Sequence, residues 1–227
     1  MEEERGRLMV KARELLTEWR RGVSLHRPYK AHWLLKAVAL WLGILAQGAF
    51  GFTTVVIDPG HGGVDRGGIP GQRVPEKVMA LDTAFRLERL LQAAGFRTIM
   101  TRHDDTFVSL PQRVAIANAQ RNAIFISLHY NAAPRPGAEG FETYYYSKRS
   151  AKLAAACYSR IVHAWWGTRR GLRTRGFFVI RRTTIPSVLV EPGFLTNPRE
   201  AALISRPEVR QRIATLLAAA IISKRGM

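Results

Sequence analysis

The sequence predicts an α/β sandwich, one compact domain built around a largely parallel, six-stranded sheet. From Phe52 onward, short apolar runs of strand character alternate with longer segments of helical periodicity. Such alternation is typical of a parallel sheet with helical connections. Three of the apolar runs lead into His61, His129 and Glu191. Because α/β enzymes build their sites at the carboxyl ends of strands, these residues indicate one shared functional site.

The alternation can be assigned to individual segments. The candidate strands are residues 53–57, 97–101, 124–128, 141–146, 176–180 and 187–190, and the candidate helices are residues 75–94, 108–121, 148–166 and 199–222. In the first helix, apolar residues recur at nearly helical spacing between Val78 and Leu91. Pro75 suits the first turn of this helix and Gly95 suits its end.

Size, charge and cysteine content restrict the class of protein. The chain has 227 residues, 47% of them hydrophobic, which suits one compact domain at residues 51–227. The formal net charge is +18, and residues 51–227 carry 26 Lys/Arg against 12 Asp/Glu. A surface this basic attracts polyanions, but no nucleic-acid-binding motif accompanies it, so nucleic acid is not expected as a partner. The single cysteine, Cys157, excludes an internal disulfide and is interpreted as a small apolar residue on a helix.

Residues 1–50 have the organisation of an export signal or a membrane anchor. An apolar stretch, 37–46, follows Lys36, and small residues follow it at Gly48 and Ala49. This pattern is typical of a secretory signal, whereas a membrane span needs about 20 apolar residues. We therefore expect export to the periplasm, the cell wall or the extracellular space, with membrane attachment only if the segment stays uncleaved. A helix of the folded domain is the third possibility.

Two histidines and two glutamates form the predicted chemical site. His61 and His129 supply imidazoles at strand ends, and zinc favours imidazole and carboxylate ligands. Glu76 is the best candidate for the third ligand, because no cysteine is suitably placed and a carboxylate on the first helical turn can point back over the strand ends. Glu191 ends another strand and is placed to act as a base beside a zinc-activated water. This set is sufficient for hydrolysis of an amide.

Four sequence blocks resemble the motifs of a known family. They read VVIDPGHGGVDRGG, PEKVMALDTAFRL, FISLHYNA and PSVLVEPGFLTN, in this order. Over residues 54–217 the chain resembles the zinc-dependent N-acetylmuramoyl-L-alanine amidases of the amidase_3 type. The resemblance implies a mixed, mostly parallel sheet with helices on both faces, and so a three-layer sandwich. It also implies that His61, Glu76 and His129 bind Zn²⁺, that Glu191 is the catalytic base, and that the substrate is the bond between N-acetylmuramic acid and L-alanine in peptidoglycan.

The interval between the third and fourth blocks bears on regulation. Some exported members of that family carry a helical insert there, which blocks the zinc site until a partner protein removes it. In this chain a single predicted helix, 148–166, lies in the interval. The resemblance therefore implies a site that is open without an activator protein.

Other polar residues near the blocks have less specific interpretations. Asp58 and Asp65 flank His61 and are interpreted either as partners of its imidazole or as turn-forming residues. Arg113 is interpreted as a helix-to-sheet contact, and Glu142 as a charge on a strand face, with the wall of the cleft as the alternative.

A dense basic patch lies between residues 169 and 182. Its members are Arg169, Arg170, Arg173, Arg175, Arg181 and Arg182. It is interpreted either as a solvated loop or as a surface that attracts anionic wall polymers or the carboxylates of stem peptides.

Three other functions remain open from the sequence. They are a zinc peptidase acting on stem peptides, a non-catalytic basic cell-wall-binding protein, and an intracellular nucleic-acid-associated protein. The complete set of four site residues argues against the second, and the apolar segment 37–46 argues against the third.

Overall fold

The computed structural model describes residues 51–69, 72–164 and 167–227. The predicted export segment and its cleavage site lie outside these ranges. Within these ranges no helix combines the length and hydropathy of a membrane span.

Strands and helices alternate along the described chain, as predicted. The strands are β1 Thr54–Pro59, β2 Arg97–Met100, β3 Ala123–Leu128, β4 Phe141–Tyr145, β5 Arg169–Thr174 and β6 Ser187–Glu191. The helices are α1 Glu76–Ala93, α2 Leu110–Asn118, α3 Ala151–Ala164, α4 Phe178–Arg182, α5 Pro198–Ile204 and α6 Pro207–Ile222, with a 3₁₀ turn at Lys148–Ser150.

The strands form one mixed sheet in the order β2-β1-β3-β6-β4-β5. Every neighbouring pair is parallel except β4 and β6, which run antiparallel. The expected six-stranded, mostly parallel sheet is confirmed. Because β1, β3 and β6 are parallel neighbours, their carboxyl ends lie side by side at one edge.

Helices cover both faces of the sheet and complete three layers. On one face α1, α3 and α6 contribute Leu87, Leu91, Ile161, Ile213 and Leu217 to the larger apolar core, all fully buried. On the other face α2 and α4 pack a smaller core against β1, β3 and β6. Cys157 is buried in the larger core on α3, as predicted. Burial of these apolar side chains is the main force that holds the helices on the sheet.

The strand predicted at residues 176–180 is wrong. Residues 178–182 form α4, whose Val179 and Ile180 are buried in the smaller core. A short apolar run fits a buried helix turn as well as a strand, so periodicity alone does not separate the two. The sixth strand is instead the Arg-rich β5, at the edge of the sheet. An edge strand can carry charged side chains because it is open to solvent.

The helix predicted at residues 199–222 is two helices. The break falls at Arg206, whose backbone is extended (φ −80°, ψ 127°) ahead of Pro207. A proline disfavours helical geometry in the residue before it and suits the first position of a new helix.

The helix α2 is also shorter than predicted and begins at a capping box between Ser109 and Gln112.

A buried ion pair ties α2 to the end of β1. Asp58 is fully buried and accepts hydrogen bonds from Arg113 Nη1 (2.6 Å), Thr101 Oγ1 (2.6 Å) and Ser127 Oγ (2.8 Å). Arg113 also donates to the carbonyl oxygens of Pro59 and His61. The helix-to-sheet interpretation of Arg113 is confirmed, and the contact holds the loop that leaves β1.

We expect Arg113→Ala to lower the free energy of unfolding by about 3–5 kcal/mol, because it leaves the buried Asp58 carboxylate without its positively charged partner. Urea unfolding followed by circular dichroism measures the change. The matched control is Arg121→Ala, at an exposed arginine, which is expected to stay within about 0.5 kcal/mol of the parent. Equal effects of the two substitutions would contradict the structural role given to the Asp58–Arg113 pair.

Candidate active site

The sheet register brings three strand ends together. β1 and β3 pair up to Pro59 and Leu128, so the segments that carry His61 and His129 leave the sheet side by side. β3 and β6 pair up to Leu128 and Val190, and Glu191 follows at the same edge. The prediction of one shared edge for these residues is confirmed.

His61, Glu76 and His129 meet in one cluster. The Nε2 atom of His61 lies 3.0 Å from Oε1 of Glu76, and Nδ1 of His129 lies 2.8 Å from the same oxygen. The two imidazole nitrogens are 3.1 Å apart. Three potential ligand atoms therefore form a small triangle. The triangle is partly open to solvent, because the side chains of His61 and His129 are 21% and 20% exposed.

Glu76 is the buried centre of this cluster. It is the first residue of α1, directly after Pro75, as predicted. Its Oε1 accepts a hydrogen bond from the Tyr130 amide (2.9 Å) and its Oε2 accepts one from the Gly68 amide (3.0 Å). Burial opposes the charge on Glu76, but hydrogen bonds with His129 and His61 outweigh burial and keep the pKa of Glu76 below its usual value.

The cluster has the donor set and spacing of a divalent metal site. One ligand atom from each of His61, Glu76 and His129 lies within 4.8 Å of the other two. Ligand atoms around a tetrahedral zinc with bonds of about 2.1 Å are roughly 3.4 Å apart. The observed separations of 2.8–3.1 Å are slightly smaller, so a small outward movement suffices to admit an ion. These three residues fit a zinc site with an open fourth position.

The loop after β1 presents His61 in a constrained conformation. His61 has a positive φ of 60°, which is uncommon for a residue other than glycine. Its Nδ1 contacts Asp65 Oδ2 at 2.8 Å, which orients the ring so that Nε2 faces Glu76. Burial lowers the pKa of His61, but Glu76 and Asp65 outweigh burial and raise it overall. Of the two flanking aspartates, Asp65 is therefore the imidazole partner, whereas Asp58 acts through Arg113.

Arg102 is a supporting residue that the sequence did not reveal. It is buried and donates to the carbonyl oxygens of Pro59, Gly60 and Lys77. These contacts tie the His61 loop to the start of α1, which carries Glu76. Hydrogen bonds to backbone carbonyls depend on the fold and leave no pattern of residue types, so no sequence signal identified Arg102.

Glu191 lies beside the cluster as a carboxylate of different character. Its Oε2 is buried and has no hydrogen-bond partner among the described residues. Burial, followed by the nearby charges of Glu76 and Glu142, raises the pKa of Glu191 well above its usual value. The two acids of the site thus differ in environment, with Glu76 held charged and Glu191 holding a proton more tightly.

Glu142 is part of the same edge. It sits directly opposite Glu191 in the antiparallel β4–β6 pair and is buried. Its Oε2 accepts a hydrogen bond from Asn131 Nδ2 (2.6 Å), and its Oε1 lies 3.3 Å from Nε of both Arg170 and Arg173. Glu142 lies on a strand, as interpreted, but its side chain is buried beside Glu191 rather than exposed on the face of the sheet.

A second supporting carboxylate, Glu200, holds the turn after Glu191. Its oxygens accept hydrogen bonds from the backbone amides of Phe194 (2.7 Å) and Gly140 (2.9 Å). Glu200 lies on α5, which the sequence did not separate from α6. The hydrogen bonds of the buried Glu200 carboxylate therefore hold the turn that follows β6 and Glu191.

A groove of about 450 Å³ runs along the His61 side of the cluster. It is lined by His61, Val64, Asp65, Arg66, Gly67, Gly68, Ile69, Gln72 and Pro75. This volume is within the range of small-molecule sites. Among the described residues, His103 and His163 lie outside the site and are exposed.

Fold and site together define an α/β protein with a candidate metal centre and an adjacent acid at the carboxyl edge of its sheet. The family model described as Amidase_3, N-acetylmuramoyl-L-alanine amidase, matches residues 55–223. The chain belongs to this family of amidase enzymes, as its motifs predicted.

Individual relatives support the assignment. The N-acetylmuramoyl-L-alanine amidase LytC of Bacillus subtilis is 38% identical over 165 residues, which are 71% of this chain and 33% of LytC. The germination-specific N-acetylmuramoyl-L-alanine amidase of the same species is 34% identical over 178 residues, which are 71% of this chain and 75% of that protein. The solved catalytic domain of CwlV, an N-acetylmuramoyl-L-alanine amidase from Bacillus (Paenibacillus) polymyxa var. colistinus, is similar with a TM-score of 0.73 and 35% identity. That match covers 76% of this chain and 98% of that domain, whereas the chain spans only a third of LytC.

We expect Gly60→Ala to weaken zinc binding by at least about tenfold, because supporting contacts around a metal site typically matter by 10–100-fold. A β-carbon at Gly60 would lie 2.3 Å from Cε1 of His129 and would displace its ring. Competition with a fluorescent chelator measures the affinity. The control is Gly137→Ala, where a β-carbon meets no atom within 4 Å. Unchanged affinity in a folded Gly60→Ala variant would exclude His129 from the metal site.

Proposed function

We propose that this chain hydrolyses the amide bond between N-acetylmuramic acid and L-alanine in peptidoglycan, and that it depends on zinc to do so. One observation carries the proposal: ligand atoms of His61, Glu76 and His129 converge within 4.8 Å, beside Glu191, in a chain of the Amidase_3 family. The names of the relatives, which are N-acetylmuramoyl-L-alanine amidases, support the choice of substrate.

The metal and the protein have separate tasks. When bound, zinc supplies a Lewis acid for the amide carbonyl and lowers the pKa of a water molecule to about 7. His61, Glu76 and His129 hold the ion. Asp65 orients the imidazole of His61, and the amides of Gly68 and Tyr130 orient the Glu76 carboxylate.

Glu191 carries the proton in this proposal. Its buried Oε2 has no hydrogen-bond partner among the residues that the structure describes, so it is available to accept a proton from the attacking water. The same carboxyl then donates the proton to the nitrogen of L-alanine, which leaves as a neutral amine.

The setting of the reaction is also a proposal. The apolar segment 37–46 supports export to the periplasm or the cell wall, with membrane attachment only if it is not cleaved. The exposed arginines Arg169, Arg175, Arg181 and Arg182 support attraction to anionic wall polymers. The interval between the third and fourth motif blocks holds two helices, α3 and α4, so the expectation of a single helix there is wrong. Because α4 packs Val179 and Ile180 into the smaller core, it has a structural role in the fold, and we propose activity without an activator protein.

Mass spectrometry of digested sacculi tests this function. The protein alone is expected to release free stem peptides that begin with L-alanine and to leave intact N-acetylmuramic acid on the glycan. Because the proposed reaction requires a metal ion held by His61, Glu76 and His129, a chelator is expected to abolish the release of stem peptides and added Zn²⁺ to restore it.

The same digest separates the remaining alternatives. Fragments cut within the stem peptide would show a zinc peptidase. Binding to sacculi with no fragments released would show a non-catalytic wall-binding protein. Release of stem peptides by metal-stripped protein would contradict the proposed role of zinc.

Glu191→Gln tests the assignment of the base. This nearly isosteric change removes the proton acceptor, so we expect turnover to fall by at least about 10²-fold, within the range of general-base catalysis. Zinc content is expected to remain at one ion per chain, because Glu191 is not among the three ligands. The matched control, Glu208→Gln, alters an exposed glutamate at the start of α6 and is expected to leave turnover unchanged. Full activity in Glu191→Gln would remove this residue from the mechanism, and loss of zinc would make it a ligand instead.

A further inference from the structure

Two arginines of the basic patch differ from the rest. Arg170 and Arg173 contact the buried Glu142, and both Nε atoms lie 3.3 Å from its Oε1. Arg169, Arg175, Arg181 and Arg182 are exposed, as is Arg173, but none of these four has an ion-pair contact with Glu142. The patch thus contains two guanidinium groups that form ion pairs with the same carboxylate.

The arginine pair is held in place by several contacts. Arg173 Nη2 donates to the carbonyl oxygen of Arg170 (3.1 Å), and the guanidinium of Arg170 stacks over the ring of Phe194 (4.9 Å to its centroid). Glu142 is in turn fixed by Asn131 Nδ2 (2.6 Å). Guanidinium groups held in this way lose little freedom when they bind a ligand.

The charges of this arrangement are not balanced. Among the described residues, Glu142 is the one carboxylate within ion-pair distance of the two guanidinium groups, and Arg170 also interacts with the more distant charge of Glu200. The side chain of Glu142 is nearly buried (6% exposed), whereas those of Arg170 and Arg173 are 31% and 44% exposed. The Glu142 carboxylate is therefore buried beneath the two guanidinium groups. The guanidinium groups present positive charge and unused N–H donors to solvent, which suits one further carboxylate.

The pair lies at a defined distance from the proposed base. Glu142 is the direct cross-strand neighbour of Glu191, and side chains in such pairs start about 5 Å apart. Both arginine Nε atoms lie 3.3 Å from Oε1 of Glu142, so the side chain of Glu142 separates the guanidinium groups from the base, a distance on the order of 5–10 Å. An extended peptide covers about 3.5 Å per residue, so this distance corresponds to about two residues.

We propose that Arg170 and Arg173 bind a free carboxylate on the stem peptide, at the residue that follows the scissile L-alanine, and so select stems that carry an acid there over stems that carry an amide. The inference rests on the proposed amidase function. It places the peptide over β4 and β5 and leaves the groove beside His61 for the sugar.

Two synthetic substrates test the proposal. Both are N-acetylmuramoyl-L-alanyl peptides of the same sequence, and they differ only in a free α-carboxylate or an α-carboxamide on the second residue. The zinc-loaded full chain is expected to show a kcat/KM at least about tenfold higher for the carboxylate form, the size typical of a hydrogen bond to a charged group. A ratio near one would overturn the inference while leaving the amidase function intact, whereas cleavage of neither substrate would instead contradict the proposed function.

Variants locate the preference. Arg170→Gln and Arg173→Gln are each expected to lose far more kcat/KM on the carboxylate form than on the carboxamide form, so that the ratio falls toward one. The control Arg175→Gln, which removes the same charge from an exposed position of the patch, is expected to keep the ratio of the parent. A ratio that survives in both Arg170→Gln and Arg173→Gln, or that falls equally in Arg175→Gln, would overturn the assignment to this pair. The comparison of two substrates within one variant keeps the test independent of any loss of folded protein.

Discussion

The site depends on one constraint: a single carboxylate oxygen, Oε1 of Glu76, contacts imidazoles that come from two different strands. The contacts of 3.0 and 2.8 Å to His61 and His129 are possible only because β1 and β3 are parallel neighbours that end at the same level of the sheet. The start of α1 must then lie over this edge. Sheet order, strand register and helix start are thus all required before a metal ion has three ligands.

Buried polar contacts behind the ligands maintain this arrangement. Asp58 and Arg113 connect β1 to α2, and Arg102 connects the His61 loop to the start of α1. Glu200 holds the turn after Glu191 by accepting a hydrogen bond from the Phe194 amide. These groups are buried. Arg102, Arg113 and Glu200 bond mainly to backbone atoms, whereas Asp58 bonds to side chains, and together they define a specific loop geometry. The ligand positions are therefore set by residues that take no part in the chemistry.

The parts of the structure that could be predicted share a local signal. Strands β1 and β3 are apolar runs that lead into His61 and His129, and β6 is one that ends at Glu191. Glu76 follows a helix-starting proline. β5 has no such signal because it is an edge strand, in which Leu172 joins the core while arginines occupy other positions. Arg102 and Glu200 were missed because their partners are distant backbone groups, and such contacts exist only once the chain has folded.

We propose that His61, Glu76 and His129 together bind one divalent ion. Anomalous X-ray diffraction at the zinc absorption edge, from crystals of the zinc-loaded protein, tests this most directly. We expect a single anomalous peak within bonding distance of His61 Nε2, Glu76 Oε1 and His129 Nδ1, with Glu191 adjacent but not bonded to the ion. An ion bound elsewhere, or no peak while the three side chains remain in direct contact, would contradict it.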